Sequence, residues 1–402
     1  MINLDAFYAL LTPDGQRALA EIAGREPTPA TTLAIATDLR KRYPAPLVAA
    51  AMTQVRLRAH ARTKFGDDAA RMYFTQAGLE QATGAFVATH HAARYPLNTR
   101  IADLCCGIGG DVRAFATAHD VLAIDRDPLT AAITTANAAA LGIAHRVTVR
   151  CADVTMVGLT GYDAAFLDPA RRTAERRIFD IADYQPPWSF IGELTRRVPN
   201  VGIKVAPGIP HNAIPHGAEA EWVSVRGDVK EAGLWFGSLA MPGVARRATL
   251  LPSGATLTAS VDTPPAVVAP RRYLYEPDGA VIRAHLVAEV AARIDGALID
   301  PTIAYITSDT LTPTPFARAY RIDDAMPFNL KHLRAYLRAR NIGRAVVKKR
   351  GSPLTPEGLL HDLRLSGDAE CVLFLTKIVG KHSVLIGQTT DPYYVWHQEE
   401  TR

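Results

Sequence analysis

The spacing of apolar and polar positions changes several times along the chain, and each change predicts a change of element. Up to about residue 70 the apolar residues recur at helical intervals. After Leu10 and Leu11, Thr12-Pro13-Asp14 is a helix start, a hydroxyl cap with proline at the first helical position. A second helix is expected from Thr31 to Arg42, ended by Pro44 and Pro46, and a third from Leu47 to Phe65. Phe74 to Tyr95 continues as a helical lead-in. From about residue 98 to 237 the pattern becomes short apolar runs that stop at Gly, Asp or Pro: Ile101 to Leu104, VLAIDRD ending in Asp125, RVTVRCAD ending in Asp153, YDAAFLDPARR ending at Asp168, and VGIKVAPG carrying Lys204. Alanine-rich helical stretches such as Leu129 to Leu141 lie between them, so the runs read as buried parallel strands covered by helices. EAEWVSVRGDVKEAGLWFG then alternates about Arg226-Gly227-Asp228, which predicts a closing hairpin.

Beyond Met241-Pro242-Gly243 the pattern shifts again. Strands are expected from Arg247 to Leu251 and from Ala255 to Val261, then a proline-rich joint from Thr263 to Pro270, then a turn at Pro277-Asp278-Gly279 with a helix after it. The last hundred residues alternate helix and strand: LKHLRAYLRAR, AVVKKRG, TPEGLLHDLRL, AECVLFLTKIVG and KHSVLIGQ. The expected division is a helical domain at 1–70, an α/β domain at 71–240, a β-rich connecting region at 241–325 and a small α+β domain at 326–402. A chain of 402 residues is long enough for such a division.

Composition narrows the class. With 48% hydrophobic and 21% charged residues the chain is globular rather than disordered, and a net charge of +5 requires any acidic partner to be held by a local patch. Cys105, Cys106, Cys151 and Cys371 form no C-x-x-C pair, so reduced thiols are expected and no metal. MINLDAFYALLTPDG carries no basic-then-apolar leader, and no run approaches the ~20 apolar residues of a bilayer span, so a soluble, cytoplasmic protein with no membrane partner is expected.

The chemistry concentrates at IADLCCGIGGD, where a strand runs into Cys105, Cys106, Gly107, Gly109 and Gly110 and then a helix near Asp111. Glycines let backbone N–H groups approach a ligand, and a helix start offers unpaired donors. The pattern departs from the dinucleotide fingerprint G-x-G-x-x-G, because Val112 stands where the last glycine should be. Asp125, about twenty residues on, can accept from both ribose hydroxyls, a group shared by dinucleotides and S-adenosylmethionine (SAM).

The ordered series of strand ends resembles the class I SAM-dependent methyltransferases and, more closely, bacterial methyltransferases with a C-terminal THUMP-like domain. The resemblance covers the chain from FTQAGLEQAT to the C-terminal strands. It implies a Rossmann-like sheet with an N-terminal helical region and a C-terminal α+β THUMP-like domain. It also implies SAM as cofactor, bound by Asp103, Cys106, Gly107, Gly109, Gly110, Asp111, Asp125 and Asp153. Asp168-Pro169-Ala170-Arg171 then stands in the place of the [DN]-P-P-[YFW] loop of nitrogen methyltransferases, with Asp168, Pro169 and Arg171 as catalytic candidates and Arg171 replacing the aromatic. C5-pyrimidine enzymes with a D-P-P-R motif need a cysteine after the fifth strand, where this chain reads Lys204-Val205-Ala206-Pro207-Gly208. Cap-type guanosine N2 enzymes place a tryptophan on the base, and Trp188 follows Tyr184, Pro186 and Pro187 here. His90 and His91 point about 100° apart on a helix and read as structural or substrate-facing, structural first, rather than as joint metal ligands.

Basic residues cluster at Lys331, Arg334, Arg338, Arg340 and Arg344, and again at Lys348, Lys349 and Arg350, with acids scarce between them. This suits a nucleic-acid surface; that the partner is structured RNA, rRNA or tRNA, is what the THUMP-like resemblance implies. Arg172, Trp188, Lys204, Lys348, Lys349 and Arg350 are the expected substrate contacts. The expected function is methylation of a base nitrogen in RNA. A small-molecule methyltransferase and an inactive RNA-binding protein of the same fold are the alternatives, and a dehydrogenase is a more distant one.

Overall fold

The computed structural model describes residues 2–171, 184–260 and 263–390. Two compact units are present, residues 1–220 with 231–243, and residues 221–230 with 244–402.

The first unit begins with four helices, α1 (Leu4–Leu11), α2 (Pro13–Gly24), α3 (Thr32–Leu39) and α4 (Ala45–Phe65). The Thr12 side chain accepts from Gly15 N–H at 3.2 Å, so the cap predicted from Thr12-Pro13 is formed. Pro46 does not end α3; it sits in the first turn of α4, where the missing N–H costs nothing. Phe7, Leu10, Leu19, Ile22, Val48, Leu57 and Phe74 pack into one core that also takes in Ile108 and Ile133. The helical region therefore buttresses the glycine-rich turn directly.

Two further helices, α5 (Gln76–Gln81) and α6 (Ala85–Ala92), lead into the sheet. Its strands are β1 (Arg100–Leu104), β2 (Asp120–Asp125), β3 (Val147–Cys151), β4 (Ala164–Leu167) and β5 (Asn200–Val205). They are interleaved with helices α7 (Gly110–Phe115), α8 (Pro128–Ala140) and α9 (Ser189–Arg197). The chain then turns through a hairpin of β6 (Glu219–Val225) and β7 (Asp228–Phe236). Arg226 and Gly227 take φ of 54° and 91° there, the left-handed pair that a tight hairpin turn requires. Within the first unit the strand order is β3-β2-β1-β4-β5-β7. The first five strands pair in parallel, and β7 runs antiparallel to β5. Phe115, Phe166, Trp235 and Tyr95 fill the core on one face.

The second unit holds the hairpin of β8 (Arg246–Leu251) and β9 (Ala255–Thr258), and a mixed sheet. That sheet is built from β10 (Tyr273–Pro277), β11 (Ala297–Asp300), β12 (Ile303–Ser308), β13 (Ala317–Pro327), β14 (Ile342–Lys349), β15 (Ala369–Ile378) and β16 (Lys381–Thr389). Its order is β11-β12-β10-β13-β16-β15-β14, so strands from 273–308 and from 317–389 share one sheet. Helices α10 (Gly279–Arg283) and α11 (Val287–Arg293) follow β10, while α12 (Leu330–Ala339) and α13 (Pro356–Leu363) flank β14. The period-two pattern of β15 sends Leu373 and Leu375 to the layer with Leu333, Leu337, Leu359 and Leu363, and Val372 and Phe374 to the opposite face with Tyr305 and Tyr320.

One buried side chain ties the first unit's helices to the glycine turn. Asn137 of α8 accepts from Tyr73 N–H at 2.7 Å and donates to Tyr73 O at 3.1 Å and Ile108 O at 2.9 Å. Asn137→Leu leaves those buried backbone groups without partners, and stability is expected to fall by about 2–4 kcal/mol. Urea denaturation measures it, and an unchanged midpoint would show that the clamp contributes nothing.

Candidate active site

Parallel pairing brings the carboxyl ends of β1 to β5 to one edge, and the residues just past each end meet there. After β1 the backbone turns left-handed three times, at Cys105 (φ 63°), Gly107 (φ 57°) and Gly109 (φ 86°). The turn is pinned to β2: Cys106 N–H donates to Ile124 O at 3.0 Å and Gly107 N–H to Asp125 Oδ2 at 3.0 Å. Thr134 Oγ1 of α8 holds the carbonyl of Gly107 at 2.6 Å. A Cβ on Gly107 would meet nothing within 4 Å, so that side of the turn is open, whereas a Cβ on Gly110 would lie 3.1 Å from both N and O of Thr83. The first glycine leaves room for a ligand; Gly110 lets the α5–α6 connection close over the helix start.

The acids around this turn differ in their surroundings. Asp103, near the end of β1, is buried, and its Oδ2 has no hydrogen-bond partner among the described residues. Burial first, then the nearby Asp111 and Asp168, push its carboxyl well above the usual range. Asp125 accepts from Gly107 N–H and, through Oδ1, from Asp127 N–H at 3.0 Å, which leaves lone pairs for further donors. Asp153 is exposed just beyond β3 and binds Thr155 N–H and Oγ1 at 2.9 and 2.7 Å; these bonds hold its carboxyl below the usual range.

The remaining acids form a buried network. Asp111, on the first turn of α7, lies 2.8 Å from His91 Nδ1, and Glu231 of β7 lies 2.5 Å from His91 Nε2. His91 is 1% exposed and faces a carboxylate at each ring nitrogen, an arrangement that requires both nitrogens to carry hydrogen and the ring to be a cation. Burial alone would push its pKa down, but Glu231 and Asp111 outweigh it and hold it at about 10. Lys204 Nζ lies 2.8 Å from Asp168 Oδ2 and donates to Thr83 Oγ1 at 3.0 Å. Asp111, Asp168 and Glu231 therefore share two cations, His91 and Lys204. A site with more carboxyl groups than cations favours a positively charged ligand.

The structure thus assembles Asp103, Cys106, Gly107, Gly109, Gly110, Asp111, Asp125, Asp153, Asp168, Pro169 and Lys204 along the strand ends. Pro169 is buried after β4, and Ala170-Arg171 pairs antiparallel with Tyr184-Gln185. The side chain of Arg171 and the whole of Arg172 lie outside the described residues. Trp188 is half-buried at the start of α9, its ring 5.8 Å from that of Tyr184, whose hydroxyl accepts from Ala206 N–H at 2.9 Å. In the second unit, Lys348 lies 2.7 Å and Arg350 3.7 Å from Glu276, so these two are part of a local ion cluster, while Lys349 is exposed. His91, expected as structural or substrate-facing, is the centre of this network, and Glu231 carried no expectation. The signal for Glu231 is an acid at the head of the run Ala232 to Trp235, all of which is buried.

Fold and site together define a class I, Rossmann-like methyltransferase: a parallel sheet finished by an antiparallel strand, a glycine turn open on one side, and an acid at the second strand end. Two proteins of Mycobacterium tuberculosis, from strains CDC 1551 and H37Rv and each described as an uncharacterized S-adenosylmethionine-dependent methyltransferase, are 35% identical over 312 residues, 76% of this chain and 84% of theirs. The chain belongs to this family of S-adenosylmethionine-dependent methyltransferases, and SAM is its cofactor. Family models match at residues 98–192 (RNA cap guanine-N2 methyltransferase), at 317–389 (THUMP domain-like) and at 3–61 (a domain of unknown function). A crystal structure described as a methyltransferase from Porphyromonas gingivalis W83 shares the fold, with a TM-score of 0.74 at 22% identity over 87% of this chain and 92% of its own. Among the described residues no helix is long and apolar enough to cross a membrane, and no group of three or more His, Cys, Asp or Glu residues could hold a metal.

The residues present fit the cofactor. The unpartnered Oδ2 of Asp103 suits its ammonium, the open face of Gly107 admits its amino-acid tail, and Asp125 retains acceptors for the ribose hydroxyls. Asp125→Ala is expected to weaken SAM binding about tenfold or more in titration calorimetry, with an unchanged circular dichroism spectrum.

His91 links stability to pH. Its pKa is raised on folding, so its contribution is fully present below about 6.5, the free-histidine value, and is lost as pH rises through about 10. The wild-type melting temperature is expected to fall across that window and that of His91→Gln to stay flatter; parallel curves would contradict the buried imidazolium.

Proposed function

We propose that this enzyme methylates a nitrogen of a base in structured RNA. The observation that carries the reading is Asp168. Lys204 takes its Oδ2, while Oδ1 has no hydrogen-bond partner among the described residues, and the side chain is 32% exposed beside the glycine turn. Burial raises the Asp168 carboxyl above the usual range and the Lys204 ammonium works against that rise; in its ionised form, with one oxygen engaged and one available, the group is suited to accept an N–H from an amino group and so aim the nitrogen lone pair. When bound, SAM supplies a methyl group on a positively charged sulfur that departs as a neutral thioether. Asp168 orients the acceptor and takes up the proton that the nitrogen sheds. Pro169 fixes the backbone that follows it, and the half-buried Trp188 offers a ring on which a base can stack. Arg171 and Arg172 follow next in the sequence and are candidate phosphate contacts.

RNA as substrate is supported by the match at 98–192 to a family named for RNA cap guanine-N2 methylation and by the THUMP domain-like match at 317–389. The second unit adds surface charge: Lys331, Arg338 and Lys349 are exposed and have no ion-pair partner among the described residues. Arg272 and Arg340 line a groove of about 610 Å³ together with the Arg321–Asp323 ion pair and Glu370, and Arg340 stacks 3.5 Å above the ring of Tyr336. Exposed cations and an arginine–aromatic stack suit phosphates and unpaired bases.

Incubation of total RNA with the enzyme and isotopically labelled SAM, followed by nucleoside mass spectrometry, is expected to yield one N-methylated nucleoside, and Asp168→Ala to lower its formation about a hundredfold or more. Label found only in low-molecular-weight compounds would overturn the RNA assignment. Changing Lys331, Arg338 and Lys349 together to Gln is expected to weaken RNA binding and flatten its salt dependence without altering SAM affinity, as paired filter-binding and calorimetric titrations would show.

A further inference from the structure

We infer that Lys204 is a positioning residue for Asp168: its ammonium keeps that carboxylate ionised among like charges and fixes which oxygen faces the methyl acceptor. The inference rests on the reading of Asp168 as the group that meets the acceptor.

The placement follows from the sheet. Lys204 is the penultimate residue of β5, paired with Gly233 of β7, and the preceding Ile203 pairs with Leu167 of β4. Asp168 follows Leu167, and its N–H donates to Leu104 O at 3.1 Å, so its backbone is held against β1. A lysine on the neighbouring strand end then reaches across to the carboxylate at 2.8 Å. The same Nζ binds Thr83 Oγ1 at 3.0 Å, and the backbone of Thr83 is the surface that closes over Gly110. One ammonium therefore connects the acceptor loop to the segment that covers the cofactor turn.

The charges facing this pair come from every surrounding element. Asp111 of α7 and Glu231 of β7 act on both Lys204 and Asp168, and Asp103 of β1 and Cys105 of the glycine turn lie within the field of Asp168. His91 of α6 is the other buried cation, and both of its nitrogens are committed to Asp111 and Glu231. Among the described residues that leaves Lys204 as the cation for Asp168. Without it the carboxyl would stand among acids in a largely buried place and would take up a proton, presenting an O–H where the amino group's N–H needs an acceptor. A different role, a nucleophilic lysine, does not suit the surroundings. Burial alone would favour the neutral amine, but Asp168, Glu231 and Asp111 together raise its pKa well above the ordinary lysine range.

The test reads Asp168 directly. Protein labelled with ¹³C at the aspartate carboxyl carbons is titrated by NMR, and Asp168→Asn identifies the resonance. In Lys204→Met the Asp168 midpoint is expected to rise by about 1–3 pH units and in Lys204→Arg to return close to wild type. Methyl transfer by Lys204→Met is expected to lose more at pH 6 than at pH 8.5, through kcat rather than the KM for RNA. Lys204→Gln, which keeps a donor for Thr83, carries the same expectation and is read if Lys204→Met is too unstable. A midpoint that does not move in a folded variant overturns the inference. The NMR arm needs no methyl acceptor, so a wild-type enzyme that leaves RNA unmodified while the midpoint still shifts would refute the RNA reading and leave the assignment of Lys204 standing.

Discussion

The sheet of the first unit gathers carboxylates at one edge, and the fold depends on compensating them. Asp103, Asp111, Asp168 and Glu231 come from β1, α7, the β4 exit and β7, elements far apart in sequence. Left alone in a buried space they would repel or protonate. His91, between two acids at 2.8 and 2.5 Å, and Lys204, on a third at 2.8 Å, make the arrangement tenable. Asp103 keeps an oxygen with no hydrogen-bond partner among the described residues, and a cation placed beside it would offset the burial that raises its carboxyl, which suits a sulfonium- and ammonium-bearing cofactor.

Much of this was legible in the sequence because the chain punctuates it. Short apolar runs stopping at glycine or aspartate located the five parallel strands, and Arg226-Gly227 located the hairpin. The glycine turn was legible because Gly107 and Gly109 adopt backbone angles that other residues avoid. Pro46 misled, since proline is excluded from helix interiors but welcome in a first turn, and only the packing of α4 shows which applies. β13 was not read because it alternates exposed charged residues with half-buried ones and lacks an apolar run. The pairing of His91 with Glu231 spans 140 positions, and spacing carries no information at that range. Lys204, carried by the fifth strand and expected as a substrate contact, has its ammonium on Asp168, a partner 36 positions away that spacing does not show.

The second unit follows a simpler logic. One seven-stranded sheet carries α12 and α13 on one face, with Tyr305, Tyr320 and Phe374 on the other. Some of its basic residues serve internal order: Lys348 and Arg350 flank Glu276, and Arg344 pairs with Glu370. The charge available to a polyanion is therefore a subset of that counted in sequence, centred on Lys331, Arg338, Arg340 and Lys349. Charge counting alone could not separate the two groups, because paired and unpaired cations look alike until their neighbours are placed.

If SAM binds at the carboxyl edge of the first unit's sheet with its methyl group facing Asp168, a crystal structure of the complex with S-adenosylhomocysteine will show the amino-acid tail at Gly107 and Asp103, the ribose hydroxyls on Asp125, and the thioether sulfur turned toward Asp168 Oδ1. A nucleoside bound elsewhere, or with its sulfur turned away from Asp168, would contradict that placement.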